Sequence, residues 1–206
     1  KSFLEEIYQG NHRMIELVNA LLNVSRIETS TLFVGKETVD VTVAIDSVLK
    51  DLVALIKKKK LNIQKDYMEG TIELQADKNI ISIIVQNIIS NAIKYTPEGG
   101  TVTIGLSTTD GQLTFKVVDT GYGIPKEQHG EIFTKLFRAD NIQSIVTEGT
   151  GLGLYMVKKI LDKLGGKIWF QSEENKGTTF YVTWPKSGMR EQRGSKRLSI
   201  NKEGQN

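Results

Sequence analysis

Asn87 and Asn91 lie four residues apart in an apolar segment that begins at Asp77 and ends before Pro97. This segment has helical periodicity, so the two amides share one face of a helix, and Lys94 follows one turn later. Amide oxygens can bind a hard cation such as Mg²⁺, which keeps waters and phosphate oxygens as its other ligands. Taken alone, two asparagines on a helix are usually polar surface.

A second cluster begins with Asp119, which ends an alternating strand and precedes Gly121 and Gly123. A carboxylate at a strand end can accept a hydrogen bond from the exocyclic amine of adenine, whereas it would repel the carbonyl that guanine carries there. The two glycines let the backbone approach a base without an intervening Cβ. Taken alone, an ordinary turn is the simpler interpretation.

A third cluster, residues 149–154, places Gly149, Gly151 and Gly153 directly before a predicted helix. Backbone N–H groups at a helix N-terminus attract anions, and the helix dipole adds to that attraction. No Gly-Lys-Ser/Thr sequence follows, which excludes a Walker A loop, and a long loop rather than a strand precedes the cluster, which argues against a dinucleotide fingerprint.

The elements that position these clusters follow from hydrophobic periodicity. Residues 1–31 form one long amphipathic helix with a coiled-coil or bundle stripe, which needs a partner helix upstream of Lys1 or on another molecule. From Thr31 onward, helices and alternating strands predict an α+β domain over residues 32–185. The pattern predicts a helix that ends in the lysines at 57–60, which we interpret as a solvated helix end, and a strand on either side of Gly70. It also predicts a helix that Asp77 caps and strand pairs at 102–117 and 168–184, all within this domain. Its fold class is a two-layer sandwich, in which about three helices cover one face of a mixed, mostly antiparallel sheet.

The composition excludes several classes of function. The chain has no cysteine, so disulfides, zinc–thiolate sites and cysteine nucleophiles are absent. No apolar run is long enough to span a membrane, and we expect no membrane contact by this segment. Residues 186–206 hold six basic and two acidic residues, so the net charge of this tail exceeds the net charge of +3 of the whole chain. We expect this basic tail to be disordered, and we do not expect a nucleic-acid partner.

The order of the three clusters resembles the nucleotide-binding fold shared by gyrase, the heat-shock chaperone of ninety kilodaltons, mismatch-repair ATPases and histidine kinases. The sequence is most similar to the catalytic domain of sensor histidine kinases. Residues 87–97 resemble the N box of that family, 119–124 its G1 box, 132–138 its F box and 149–154 its G2 box. Arg26, Ile27 and Glu28 resemble the end of the second dimerisation helix, so that residues 1–31 would be an incomplete dimerisation hairpin.

The resemblance implies a role for each residue. Asn87 and Asn91 would hold Mg²⁺ against the phosphates of ATP, and Lys94 would reach the phosphates. Asp119 would recognise the adenine amine, and Tyr95 would lie against the base. The catalytic residues would be Asn87, Lys94 and Arg138, the last at the γ-phosphate. Residues 122–148 would form a lid, and the remaining ATP-binding residues would be Gly121, Gly123, Ile124, Phe133, Gly149, Thr150, Gly151, Leu152, Gly153 and Leu154.

Two positions refine the resemblance. Gyrase-type ATPases have a glutamate in place of Asn87 as the general base for water, and an asparagine cannot take a proton at neutral pH. This difference favours transfer to a protein acceptor over efficient hydrolysis. Leu136 occupies a place where the F box usually has a second aromatic residue, which could weaken lid docking.

The phosphate acceptor is the remaining question. The family phosphorylates a histidine followed by an acidic residue, but His12 precedes Arg13 and His129 precedes Gly130. We therefore expect the acceptor histidine to lie upstream in a longer polypeptide that forms a homodimer. This parent protein would relay the phosphate to the receiver domain of a response regulator. We expect it to work in the cytoplasm, whether or not it has a membrane anchor. The alternatives are a non-enzymatic ATP-dependent regulator and a hydrolytic ATPase of the gyrase–chaperone class.

Overall fold

The computed structural model describes residues 2–29, 31–68, 70, 72–143 and 149–199. Within these residues the helices are α1 (Ser2–Glu28), α2 (Val41–Asp51), α3 (Val53–Lys58), α4 (Lys78–Tyr95), α5 (Asp140–Gln143) and α6 (Gly153–Leu164). The strands are β1 (Phe33–Val34), β2 (Glu37–Asp40), β3 (Asn62–Tyr67), β4 (Glu73–Ala76), β5 (Thr101–Thr109), β6 (Gln112–Asp119), β7 (Lys167–Glu173), β8 (Gly177–Pro185) and β9 (Gln192–Arg193).

A five-stranded sheet of order β3-β5-β6-β8-β7 forms one layer of the fold. The β3–β5 pair is parallel, and the other three pairs are antiparallel. Alternate residues such as Ile104, Phe115 and Val182 are fully buried because the period of two turns every second side chain toward the helices. The structure confirms the predicted mixed, mostly antiparallel sheet.

Helix α4 is the central element of the helical layer and contacts α2, α6 and β6. It begins where Asp77 accepts hydrogen bonds from the backbone N–H groups of Asn79 and Ile80, which satisfies two N–H groups that lack partners within the helix. Its apolar side chains form much of the core, as Ile81, Ile84 and Ile88 illustrate with 0% exposure. The helix therefore presents its remaining polar face, which includes Asn87 and Asn91, to the rest of the domain.

The structure refines the predicted helix and strands between residues 41 and 76. The helix predicted up to the lysines at 57–60 is divided at Leu52 into α2 and α3. Both strands predicted on either side of Gly70 are present and lie in separate sheets: β3 joins the main sheet beside β5, whereas β4 pairs with β2 in a two-stranded sheet.

Helix α1 leaves most of its apolar stripe uncovered. The side chains of Ile7, Met14, Val18 and Leu21 are 50–63% exposed, so the other described residues leave this face of the helix largely uncovered. Its last turns pack against α6, and Ile27 there is only 1% exposed. Among the described residues, no helix is both long and apolar enough to cross a membrane.

The prediction that residues 186–206 are disordered is wrong for residues 186–199. Strand β9 pairs with β1, and the buried side chains of Met189 and Leu198 join the core. The carboxamide of Asn23 both donates to the carbonyl of Ser199 (2.9 Å) and accepts from its N–H (3.0 Å). Two apolar side chains and these main-chain hydrogen bonds compensate for the polar composition. Residues 189–199 are called the C-terminal strap below; residues 200–206 lie outside the described residues.

Candidate functional site

A cleft lies between α4, the end of β6 and the residues that lead into α6. All three sequence clusters, which are far apart along the chain, contribute to its wall. The lining residues are Asn87, Ser90, Asn91, Lys94, Tyr95, Asp119, Gly123, Ile124, Ile132, Phe137, Arg138, Ala139, Ile142, Gly149, Thr150, Gly151, Gly153, Leu154, Thr178 and Phe180. The cleft wall thus combines apolar side chains with a similar share of polar and charged ones, a mixture that suits a polar small-molecule ligand.

Asp119 is the buried carboxylate of this cleft, with 6% exposure. Its Oδ1 accepts hydrogen bonds from the backbone N–H groups of Gly121 (2.9 Å) and Thr178 (3.2 Å). Burial raises the pKa of Asp119 to about 6, and the two hydrogen bonds offset part of that effect. The carboxyl is therefore mostly ionised at pH 7, and it is held in one orientation as an acceptor for a ligand amine.

The glycines after Asp119 allow two close approaches of the backbone. A Cβ on Gly121 would lie 2.5 Å from the carbonyl oxygen of Tyr95, at the end of α4. Gly123 has a φ of +64°, and a Cβ there would lie 2.0 Å from the carbonyl oxygen of Glu173 in β7. Only glycine fits both positions, so this turn packs directly against α4 on one side and β7 on the other.

Asn87 connects the first and third clusters. Its Nδ2 donates to the carbonyl of Ile83 (2.7 Å), which turns Oδ1 toward the start of α6. A Cβ on Gly153 would lie 2.3 Å from that Oδ1, so Gly153 makes room for the amide. Asn91 and Lys94 lie on the same face of α4 and also line the cleft. The Oδ1 of Asn87 is therefore placed beside the start of α6, and Asn91 and Lys94 line the same cleft.

Among the described residues, the N-cap position of α6 provides no side-chain cap for the backbone donors that begin this helix beside the cleft. Its N-cap residue Leu152 makes no side-chain capping hydrogen bond to the first turn, so these N–H groups keep the positive end of the helix dipole available for an anion. Gly151 has a φ of +68°, and a Cβ there would lie 2.7 Å from the backbone of Leu136. The glycine thus lets the segment before α6 pack against residues 132–138.

Tyr95 and Arg138 both line the cleft, close enough for the charge of the guanidinium to act on the phenol. Burial raises the pKa of the Tyr95 phenol, and the nearby positive charge of Arg138 lowers it to a smaller extent. The phenol therefore stays neutral at physiological pH, and its ring offers a flat apolar surface against which a base can stack.

Three predicted residues do not line the cleft. Gly121 supports Asp119 from behind, and Leu152 is buried in the core with 1% exposure. Phe133 packs edge-on against Phe170 at 5.9 Å between ring centroids. It therefore anchors residues 132–138 to β7, and its contribution to the site is indirect.

Two contacts that support the site were not predicted from the sequence. Thr178 contributes a backbone N–H to Asp119, which any residue type could do, so no residue pattern marks it. Lys59 was assigned to a solvated helix end, but its Nζ donates to the carbonyls of Ile93 (2.9 Å) and Lys94 (2.8 Å). That interpretation is wrong for Lys59, which binds the otherwise unpaired carbonyls at the end of α4.

His129 is not among the described residues that line the cleft. His12 belongs to α1, and its side chain lies outside the described residues. The Nε2 of His129 is 3.0 Å from the carbonyl oxygen of Ile124, and its ring packs edge-on against Phe170. His129 thus holds the turn after Asp119 in place. The predicted lid, residues 122–148, is described up to Gln143, and residues 144–148 lie outside the described residues.

Comparison with known families agrees with this geometry. A family profile described as histidine kinase-, DNA gyrase B-, and HSP90-like ATPase matches residues 76–188. This range is more than half of the chain and contains every residue of the cleft wall. The chain therefore belongs to this ATPase family, and the resemblance inferred from the sequence is confirmed.

Within the family, the chain is similar to sensor histidine kinases. The sensor histidine kinase WalK of Bacillus subtilis strain 168 is 34% identical over 185 residues, which are 89% of this chain and 30% of WalK. The chain spans about a third to a half of the length of the curated relatives it matches.

Solved structures show the same fold. The catalytic domain of the histidine kinase ThkA is 29% identical, with a TM-score of 0.64 over 73% of this chain and 95% of that domain. ThkA in complex with the response regulator TrrA gives a TM-score of 0.73 at 24% identity, over 90% of this chain and 51% of that one. The predicted α+β fold is thus the fold of the histidine kinase catalytic domain.

Proposed function

We propose that this chain binds Mg-ATP and transfers the γ-phosphate to a histidine on a dimerisation hairpin that is completed outside the chain. The observation that carries this proposal is the chemistry of the cleft wall. Among the described residues that line it, Asp119 is the one carboxylate, and backbone N–H groups hold it at the adenine end. Asn87 stands where a hydrolytic relative has its glutamate, and an amide cannot activate water.

The residues at the start of α6 fit the phosphates of a nucleoside triphosphate. Gly149, Gly151 and Gly153 would border the phosphates, and the first N–H groups of α6 would neutralise part of their charge. Lys94 and Arg138 would supply positive charge on either side. Catalysis would come mainly from positioning and charge stabilisation, because phosphoryl transfer asks for little covalent chemistry from the protein.

The donor set also fits a magnesium ion that arrives with the nucleotide. In the described part of the chain, no group of three or more acidic, histidine or cysteine side chains could hold a metal by itself. Asn87 and Asn91 would therefore contribute amide oxygens to an ion whose other ligands are phosphate oxygens and water. The ion would offset the negative charge that develops on the transferred phosphoryl group.

The partners follow from α1 and from the relatives. The uncovered apolar stripe of α1 supports pairing with a further helix of the hairpin, in the same or a sister chain, within a homodimeric parent. The structure of ThkA with its response regulator supports a receiver-domain aspartate as the next acceptor. We further propose that this domain works in the cytoplasm, whether or not the parent has a membrane anchor.

Incubation with Mg²⁺ and γ-labelled ATP, with and without an added hairpin that bears an acceptor histidine, tests the proposal. We expect acid-labile label on the added hairpin only, and none with the Asp119→Asn variant. Rapid release of phosphate without a hairpin would instead support a gyrase-type ATPase. ATP binding without transfer to any hairpin would support a non-enzymatic regulator.

A further inference from the structure

The last residue of α1 contacts two segments that form the nucleotide site. The Oε1 of Glu28 accepts a hydrogen bond from the phenol of Tyr155 (2.5 Å) and forms an ion pair with the Nζ of Lys135 (2.7 Å). The ammonium group of Lys135 also lies 5.2 Å from the centroid of the Tyr155 ring, within the range of a cation–π interaction. These three side chains are called the Glu28 cluster below.

Both partners of Glu28 lie within two positions of residues of the cleft wall. Lys135 precedes Leu136, and the following residues Phe137 and Arg138 line the cleft. Tyr155 directly follows Leu154, which lines the cleft from the start of α6. The carboxylate of Glu28 on α1 is therefore connected both to residues 135–138 and to the start of α6, where the phosphates are proposed to bind.

The backbone between Lys135 and Phe137 is in an unfavourable conformation. Leu136 has a φ of +62°, which a residue with a Cβ adopts only when its surroundings hold it there. Its backbone packs against Gly151, and its side chain is 62% exposed, so the apolar side chain contributes little to fixing the segment. The anchored Lys135 on one side and the Gly151 contact on the other supply the constraint.

The charges within the cluster are mutually consistent. The hydrogen bond from Lys135 holds the pKa of Glu28 below its ordinary value, and that from Tyr155 acts in the same direction. The same hydrogen bond raises the pKa of Lys135. Both groups are thus charged at neutral pH, and the contact is a charge-assisted hydrogen bond.

We infer that Glu28 is a positioning residue for the nucleotide site, because it holds residues 135–138 in their binding conformation and couples the docking of α1 to ATP binding. This inference rests on the proposed function in that it takes ATP to be the ligand. The coupling is reciprocal. Docking of α1 tightens ATP binding, and bound ATP stabilises the docked α1 by the same factor.

Nucleotide binding to the full 206-residue chain, measured by titration calorimetry with a non-hydrolysable ATP analogue and Mg²⁺, tests the inference. Glu28→Ala removes both contacts and should raise the dissociation constant by about fivefold, the value of a well-placed surface ion pair. Glu28→Gln keeps an acceptor oxygen for Tyr155 but removes the ion pair with Lys135, so it should recover only part of the lost affinity. The matched control is Glu98→Ala, since Glu98 also forms an exposed 2.6 Å ion pair with a lysine, Lys60, away from the cleft wall.

A second measurement separates positioning from a structural role. With the analogue bound, amide hydrogen exchange in residues 24–28 should slow by about the same factor in the wild type and not in Lys135→Met. In a Leu136→Gly background, where the positive φ needs no external support, Glu28→Ala should lose most of its effect on affinity.

Unchanged affinity in Glu28→Ala, or an equal loss of affinity in the Leu136→Gly background, would overturn the inference. So would exchange in residues 24–28 that does not respond to nucleotide. If the wild-type chain bound no nucleotide at all, the proposed function itself would fail, and that outcome is distinct from all of these.

Discussion

Replacing Asp119 by asparagine should make the ligand-free protein more stable and at the same time abolish nucleotide binding. Burial raises the pKa of this carboxyl from 3.8 to about 6. Ionisation at neutral pH therefore destabilises the folded state relative to the unfolded state, in which the carboxyl is exposed to water. The shift corresponds to about 3 kcal/mol at pH 7. An asparagine is neutral and its Oδ1 can still accept from Gly121 and Thr178.

The expected gain is smaller than the full cost of ionisation, because the new Nδ2 donor must find a partner in the cleft. A net gain of about 1–3 kcal/mol corresponds to a rise in melting temperature of about 3–8 °C for a chain of this size. Thermal unfolding followed by circular dichroism, without nucleotide, measures it.

The pH dependence has a defined sign. Because the folded pKa lies above the unfolded value, the cost in the wild type is full above about pH 6, decreases as the pH falls toward 3.8, and vanishes below it. The difference in melting temperature between Asp119→Asn and wild type should therefore be largest near pH 7 and shrink toward pH 4.

Nucleotide binding should change in the opposite direction. In the proposed complex the carboxylate would accept from the adenine amine. The asparagine can place a second donor there, and a buried unpaired donor costs enough to weaken binding by about a hundredfold. Calorimetric titration with the ATP analogue measures this loss.

Asp77→Asn is the matched control, since Asp77 is the other carboxylate buried to 6% exposure in the described structure. Its Oδ1 caps α4, and its Oδ2 accepts from the N–H of Gly35 (3.1 Å). An amide cannot accept with both atoms, so this variant should lose stability. If Asp119→Asn also lost stability at pH 7, or if its effect did not vary with pH, the argument that a buried charge is kept for a ligand would be refuted.

Three further substitutions test other parts of the site. Asn87→Ala should reduce the ATP affinity measured with Mg²⁺ about tenfold and leave the weaker affinity measured in EDTA unchanged, because it removes a metal ligand; equal losses in both conditions would contradict that role. Gly123→Ala should lower stability by about 2–4 kcal/mol in urea unfolding, since its Cβ would overlap the backbone of Glu173, whereas Gly130→Ala, with open space around its Cα, should have little effect. Lys59→Met should cost about 1–2 kcal/mol in the same assay by leaving two carbonyls at the end of α4 unpaired; wild-type stability would show that water replaces the ammonium group.

The fold and much of the site could be predicted because they depend on local patterns. Periods of 3.6 and 2 gave α4, the β5–β6 hairpin and the β7–β8 hairpin, and the capping residue Asp77 gave the start of α4. The glycine clusters were recognisable since their geometry excludes every other residue type. Asn87, Asp119 and Gly151 lie together as the order of the boxes implied.

The missed parts depend on contacts between distant segments that carry no residue signature. The N–H of Thr178 and the strand pairing of the C-terminal strap are main-chain interactions, which any sequence could make. Lys59 belongs to a run of four lysines, and composition cannot tell which one reaches α4. Glu28 and Lys135 are 107 positions apart in a sequence that contains many such possible pairs.

The C-terminal strap changes how α1 is mechanically attached to the ATPase domain. Apart from the strap, α1 is joined to the domain near its C-terminal end, by the chain itself, by packing on α6 and by the Glu28 cluster. The carboxamide of Asn23 and the guanidinium of Arg26, which donates to the carbonyl of Arg197 (2.9 Å), add a second attachment one to two turns earlier on the helix. Because α1 is held at two places along its length, it cannot pivot freely about its end. A rotation imposed on α1 is therefore transmitted to the domain as torque.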